Sequence, residues 1–171
     1  AADCLDLAER LQTPVFLMTD LDIGMNQRLT KPLQWDDGRK YDRGKVMTAE
    51  MLEAGKEFGR YLDVDGDGIP FRTYPGTHPT KGAYFTRGTS KNAYAVYSEA
   101  GHDYLYNMQR LLQKHDFAKT LVPKPLLTPS PEPARFGCIY YGSTSPSMQE
   151  ALEALAEQGI FVNALRVRAF P

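Results

Sequence analysis

The residues best placed to do chemistry are three aspartates at every second position in Asp63-Val64-Asp65-Gly66-Asp67-Gly68-Ile69. Hard cations favour oxygen ligands, and this spacing matches the first half of a calcium loop, with Gly68 at the sixth position for the sharp turn. The twelfth position is Tyr74 where a bidentate Glu belongs, and Pro70 intrudes. Two readings stand side by side. The aspartates cap N–H groups of a tight turn, or Asp63, Asp65 and Asp67 hold calcium or magnesium with an affinity no better than about 0.1–1 mM. A second feature is Gly142-Ser143-Thr144-Ser145 between an apolar run and a helix start. Free N–H groups there, aided by the helix dipole, suit an anion at Gly142, Ser143 and Thr144. The plain alternative is a strand-to-helix turn with Ser145 as N-cap. Third, Arg72-Thr73-Tyr74-Pro75-Gly76-Thr77-His78-Pro79, continuing through Gly82-Ala83-Tyr84-Phe85-Thr86-Arg87-Gly88-Thr89, is dense in groups that could line an anionic site. A single His without a local carboxylate or nucleophile reads equally as a hydrogen-bonded loop residue. Fourth, Arg166 and Arg168 share one strand face and read as an interface or a solvated face.

Composition bounds what these features can serve. The chain has 171 residues, 42% of them apolar, enough for one sizeable core. Twenty basic against 21 acidic residues leave a net charge of -1, which argues against nucleic acid or a polybasic membrane surface as partners. Apolar runs such as Val15-Phe16-Leu17-Met18 fall far short of the roughly 18 residues that span a bilayer, and no N-terminal leader pattern is visible, so a cytoplasmic protein is expected. Cys4 and Cys138 sit among apolar residues and read as reduced thiols. Their number excludes zinc and iron–sulfur sites in this chain.

The elements that must position these residues fall into three stretches. Cys4, Leu7, Ala8 and Leu11 follow one helix face, Thr13-Pro14 stops that helix, and Val15–Thr19 reads as a strand buried on both faces. At the other end, Phe136–Tyr141 reads as a strand. Pro146 opens a helix whose apolar face is Met148, Ala151, Leu152 and Leu155, Gly159 ends it, and a strand runs from Ile160 to about Ala169. A parallel β-α-β unit over residues 135–171 follows. Eight of the ten tyrosines lie between Tyr41 and Tyr106, in a loop-rich stretch with two helices. Thr48 caps the first, with Met47 stapled to Leu52 and Met51, Phe58 and Leu62 inward. The second carries the apolar stripe Tyr104, Leu105, Met108, Leu111 and Leu112. Pro123, Pro125, Pro129, Pro131 and Pro133 then favour a stiff extended linker. The expected organisation is 1–24 as the end of an α/β domain, 25–122 as a connecting region, 123–133 as the linker and 134–171 as the start of another domain. The fold class is α/β, with incomplete Rossmann-like pieces at both ends joined by a loop-rich α+β insertion. A chain that starts in a helix and stops after one β-α-β unit looks like a piece of a longer protein.

Several strings carry a resemblance. They are Pro14-Val15-Phe16-Leu17-Met18-Thr19-Asp20-Leu21-Asp22-Ile23-Gly24-Met25-Asn26, Trp35-Asp36-Asp37, Tyr41-Asp42-Arg43-Gly44-Lys45-Val46, and Phe58-Gly59-Arg60-Tyr61-Leu62 running into the aspartate loop. Pro75-Gly76-Thr77-His78-Pro79, Tyr140-Tyr141-Gly142-Ser143-Thr144 and Leu165-Arg166-Val167-Arg168-Ala169-Phe170-Pro171 continue it. Together they resemble the alpha subunit of 2-oxoacid:ferredoxin oxidoreductases, the 2-oxoglutarate type above all. That resemblance implies oxidative decarboxylation of a 2-oxoacid on thiamine diphosphate with magnesium, acyl transfer to coenzyme A, and electrons passed through iron–sulfur clusters to ferredoxin. It implies a beta subunit as partner, makes the end pieces transketolase-type, with 1–24 the end of a thiamine pyrimidine-binding α/β domain and 134–171 the first β-α-β of a transketolase-C-terminal-like domain, and places no catalytic residue in this chain. Gly66-Asp67-Gly68 is also similar to the metal–diphosphate motif of thiamine enzymes, whose downstream asparagine would have to be Asn92. The expectation is therefore a fragment inactive alone and prone to self-association through apolar faces that have lost their neighbours. Two other classes stay open, a divalent-cation-binding module resting on the three aspartates and a structural assembly module resting on the aromatic middle.

Overall fold

The computed structural model describes residues 2–27, 29–83 and 88–171. Contacts divide the chain into two compact units, one running up to Phe16 and then over Arg39–Leu121, with Pro171, the other made of Leu17–Gly38 and Val122–Phe170. No helix among the described residues is long and apolar enough to cross a membrane.

The first unit holds α1 (Ala2–Leu11), α3 (Ala49–Glu53) and α4 (Gly101–Leu121). Leu11 of α1, Ile69 and Ala118 of α4 are buried together, with Leu7, Phe117 and Leu121 packed around them. The expected face of α1 is thus the one that enters the core. Thr48 caps α3 as its sequence implies, accepting from the Met51 N–H at 3.3 Å, and Met47 and Leu52 are both buried. That helix closes at Glu53, because Gly55 takes a left-handed φ of +77°, so Phe58 and Leu62 lie beyond it.

The long helix α4 corrects the expectation most sharply. Its apolar stripe faces outward, with Leu105 54% and Leu112 68% exposed, while Arg110 is only 7% exposed. The reason is polar. The Arg110 guanidinium donates to the Gly68 carbonyl at 2.9 Å and the Gln113 amide donates to the Gly66 carbonyl, so the inner face of the helix grips the backbone of the aspartate loop. The Gly68 carbonyl is buried and needs a donor, and a helix face that supplies one turns inward at the expense of an apolar one.

The second unit contains α2 (Leu21–Met25) and a three-stranded sheet ordered β1 (Leu126–Thr128), β3 (Val162–Arg166), β2 (Phe136–Tyr140). β2 and β3 are parallel, with Phe136 opposite Val162 and Tyr140 opposite Arg166, and α5 (Thr144–Glu157) crosses between them. The β-α-β unit has the strand direction its pattern predicts. Ala164, fully buried on the central strand, faces Cys138 on one side and Thr128 on the other. At the end of α5, the Ile160 N–H returns to the Leu155 carbonyl and the Gly159 N–H to Ala156, with Gly159 at φ +73°. This is a Schellman cap, as the glycine implies.

Three further expectations change. Val15–Thr19 forms no strand, and Phe16 and Met18 are 82% and 83% exposed. An apolar run becomes a strand only where a neighbour takes up its backbone groups, and none does among the described residues. The proline stretch is not uniformly extended linker, since Leu126–Thr128 pairs antiparallel with β3. Its prolines bracket that ladder rather than entering it. Finally, α5 begins at Thr144, which places Pro146 third in the helix rather than first. The cost is small, because first-turn N–H groups have no intrahelical acceptor.

The loop-on-helix contact generates a paired prediction. A Cβ on Gly68 would come 2.4 Å from the Arg110 carbonyl oxygen, with φ at +77°, whereas Gly55 has the same φ and open space. Gly55→Ala is expected to cost about 1 kcal/mol, the left-handed backbone term alone. Gly68→Ala should cost about 3 kcal/mol or more, as steric strain at a packed site does. Urea midpoints of the two variants check this.

Candidate functional site

The structure gathers the three aspartates, with a carboxylate oxygen from each within 4.8 Å of the others. Each is already engaged. Asp63 accepts from the Gly66 N–H at 3.0 Å through one oxygen and from the Gly68 N–H at 3.0 Å through the other. Asp67 accepts from the Ile69 N–H at 2.7 Å. Gly66 and Gly68 take φ of +83° and +77°, the left-handed backbone that tight turns assign to glycine. Among the carboxylates sits Lys45, whose Nζ lies 2.6 Å from Asp65 Oδ1, 2.7 Å from Asp67 Oδ1 and 2.9 Å from the Ile69 carbonyl oxygen.

The position of Lys45 follows from its neighbours. Its carbonyl accepts from the Arg72 N–H at 3.0 Å, and the Met47 N–H donates to the Arg72 carbonyl at 2.9 Å, a short parallel bridge that lays residues 45–47 beside the end of the loop. Gly44, at φ +67°, runs so close to α1 that a Cβ would stand 2.7 Å from the Glu9 carbonyl oxygen. Partial burial pushes the Lys45 pKa down, but the hydrogen bonds to Asp65 and Asp67 outweigh it, and the ammonium holds its proton more tightly than a free lysine. Its hydrogen bond in turn holds the Asp65 carboxyl below the usual range.

The turn Gly142–Thr144 resolves in a parallel way. The Ser143 N–H donates to Asp20 Oδ2 at 3.0 Å, and Asp20 Oδ1 accepts from the Ile23 N–H at 2.9 Å, so one carboxylate caps α2 and occupies the donor before α5. These bonds, Ile23 first, lower the Asp20 pKa. Gly142 stands at φ +61°, where a Cβ would meet Asp20 Oδ2 at 2.9 Å.

His78 is buried at 7% exposure, and its Nδ1 accepts from the Thr80 and Lys81 N–H groups at 3.1 and 2.9 Å. That leaves the proton on Nε2, which bonds Glu53. His78 is a loop-shaping residue. Arg72 reaches Glu9 and the Arg43 carbonyl. Tyr84, Phe85, Thr86 and Arg87 of that stretch lie outside the described residues. Arg166 is half-buried and Arg168 exposed. The pattern that singled out the aspartates did not find Lys45, Asp20 or Arg110. The only local hint was a lone lysine beside a glycine, and their contacts span 20, 123 and 42 residues.

Asn92 Oδ1 accepts from the Tyr94 and Val96 N–H groups at 3.0 and 3.1 Å, closing its own turn, and Asp67 is held by Lys45. That pair does not fit a metal–diphosphate site.

No family model and no curated protein matches the sequence. Among solved structures, 95% of the chain is similar to part of a 2-oxoglutarate:ferredoxin oxidoreductase from Magnetococcus marinus with 2-oxoglutarate, coenzyme A and succinyl-CoA bound, at a TM-score of 0.66 and 17% identity. The chain spans 27% of the length of that protein. The likeness establishes the fold.

Two predictions follow from the site geometry. Gly142→Ala should destabilise by about 1–2 kcal/mol, the cost of a left-handed φ, since the Asp20 carboxylate it would touch is the movable end of a side chain, and melting against the parent chain measures it. The second concerns pH. Asp20 and Asp65 are held below their ordinary 3.8, and Glu53 below 4.5 by His78 first and Lys81 next. A carboxyl with a depressed folded value stabilises above its unfolded value and loses that contribution as pH falls through the folded one. Melting temperature should therefore hold from pH 7 to about 5 and drop steadily below about 4.5.

Proposed function

We propose that this chain is part of the alpha subunit of a 2-oxoacid:ferredoxin oxidoreductase, most closely of the 2-oxoglutarate type. The observation that carries the reading is the agreement of two independent lines, the ordered motifs along the sequence and the fold likeness over 95% of the chain to an enzyme of that kind. In this reading the whole enzyme decarboxylates a 2-oxoacid on thiamine diphosphate, passes the acyl group to coenzyme A and delivers electrons to ferredoxin. The chain itself is scaffold. Its two cysteines supply too few ligands for an iron–sulfur cluster, and its only group of three metal-competent side chains among the described residues is the lysine-filled aspartate loop. The beta subunit and the remainder of the alpha subunit supply cofactor binding. The outward apolar stripe of α4 and the exposed Leu29, Leu33 and Trp35 support burial of this chain within such an assembly.

The test is a viologen-reduction assay with 2-oxoglutarate, thiamine diphosphate, magnesium and coenzyme A. A complete enzyme carrying this segment should reduce the dye only when both 2-oxoglutarate and coenzyme A are present, and the 171-residue chain alone should give no turnover. Turnover by the isolated chain at a rate comparable to the complete enzyme would overturn the scaffold reading, and a complete enzyme indifferent to every 2-oxoacid would overturn the family reading.

A further inference from the structure

We infer that Lys45 is the resident cation of the aspartate loop, its ammonium standing where a divalent ion would otherwise stand, so that the loop keeps its fold without metal. An ammonium has three N–H donors and no acceptor. Here three acceptors converge on it at 2.6, 2.7 and 2.9 Å, two carboxylates and one backbone carbonyl, and they account for all three donors. Carboxylates joined by a main-chain carbonyl are also the donor set that hard cations take. Lys45 is not part of the cluster, since it reaches in from 20 positions away in sequence, on a backbone fixed by the bridge to Arg72. Asp63 makes no contact with the ammonium and is spent on the Gly66 and Gly68 N–H groups, which leaves the two remaining carboxylates to be balanced by one tethered charge. Those carboxylates are not equally exposed. Asp67 is 18% exposed and Lys45 20%, against 52% for Asp65, so the Lys45–Asp67 contact is the shielded half of the pair.

Two consequences separate this device from a calcium loop. An external divalent ion would have to displace a covalently tethered ammonium, so the natural chain should be indifferent to calcium. Removing the ammonium while keeping its stem leaves the two carboxylates and the carbonyl facing one another, and the loop becomes responsive to divalent cations.

The experiment compares the natural chain with Lys45→Met by thermal melting in 1 mM EDTA and in 10 mM calcium chloride. The natural chain should shift by less than about 1 °C between the two buffers. The variant should melt about 5 °C or more lower in EDTA, the scale of losing one half-buried charge partner, and calcium should restore at least half of that loss. Adding Asp65→Asn and Asp67→Asn to the variant should abolish the restoration. Calcium stabilisation of the natural chain equal to that of the variant would overturn the inference and favour a metal loop, and so would a variant that melts like its parent in EDTA. A readout on the natural chain covers a variant that fails to fold. Acetic anhydride labelling followed by mass spectrometry should modify Lys45 at least tenfold more slowly than the exposed Lys40, and equal rates would overturn the assignment.

Discussion

The fold of the first unit hangs on the contact between α4 and the backbone of residues 66–68. Arg110 and Gln113 supply donors to two loop carbonyls, and the approach is close enough that only glycine fits at position 68. Once the helix is committed to that contact, its rotation about its own axis is set. Asn107, which bonds the Lys91 carbonyl, and the partly buried Lys114 come inward with Arg110, and Tyr104, Leu105 and Leu112 must point out. The small core of Leu11, Ile69 and Ala118 then forms at the C-terminal half of the helix, where apolar residues return to the inner face. A polar clamp at its middle and an apolar contact toward its C-terminus divide a 21-residue helix between two kinds of physics.

At two of the places where sequence pattern suggested an external ion, a charged side chain of this chain makes contact. The aspartate loop takes Lys45, and the turn before α5 takes Asp20. The shared logic is electrostatic. A cluster of carboxylates or a set of unsatisfied N–H groups needs an opposite charge, but a side chain already tethered to the fold provides it at far smaller entropic loss than a free ion. An ion-binding pattern in sequence specifies the charge that must be met, and a distant residue then decides whether solvent or the chain meets it.

This difference explains what was legible in the sequence. The β-α-β unit was readable because its signals are local: an apolar run at Phe136, proline in the first turn, and Gly159 at a Schellman cap. Thr48 before α3 was readable for the same reason. The inner face of α4 was not, because periodicity weighs apolar residues and is blind to a helix that packs through guanidinium and amide groups. Nor was β1, a three-residue strand between prolines whose existence depends wholly on β3 lying beside it. Val15–Thr19 failed in the opposite sense, since its composition is that of a buried strand and its surroundings here offer it no ladder. At the candidate sites the aspartates were visible, while Lys45 and Asp20 were hidden by sequence separation.

The outward stripe of α4 bears on the proposed place of this chain in a larger enzyme. Rotating the helix to bury the stripe would strip the buried Gly68 carbonyl of its donor, at about 1–3 kcal/mol, and would break the exposed Gln113–Gly66 bond as well. The contact with the loop thus holds the helix in the rotation that leaves its apolar face outward. The large side chains on that face are 36–68% exposed, so each stands to gain about 1 kcal/mol or somewhat more on full burial, and a surface that docks there gains affinity from residues the fold leaves outward. A helix whose polar face is consumed internally leaves its apolar face as the one free to meet another surface, in keeping with the proposal that this chain is part of a larger enzyme.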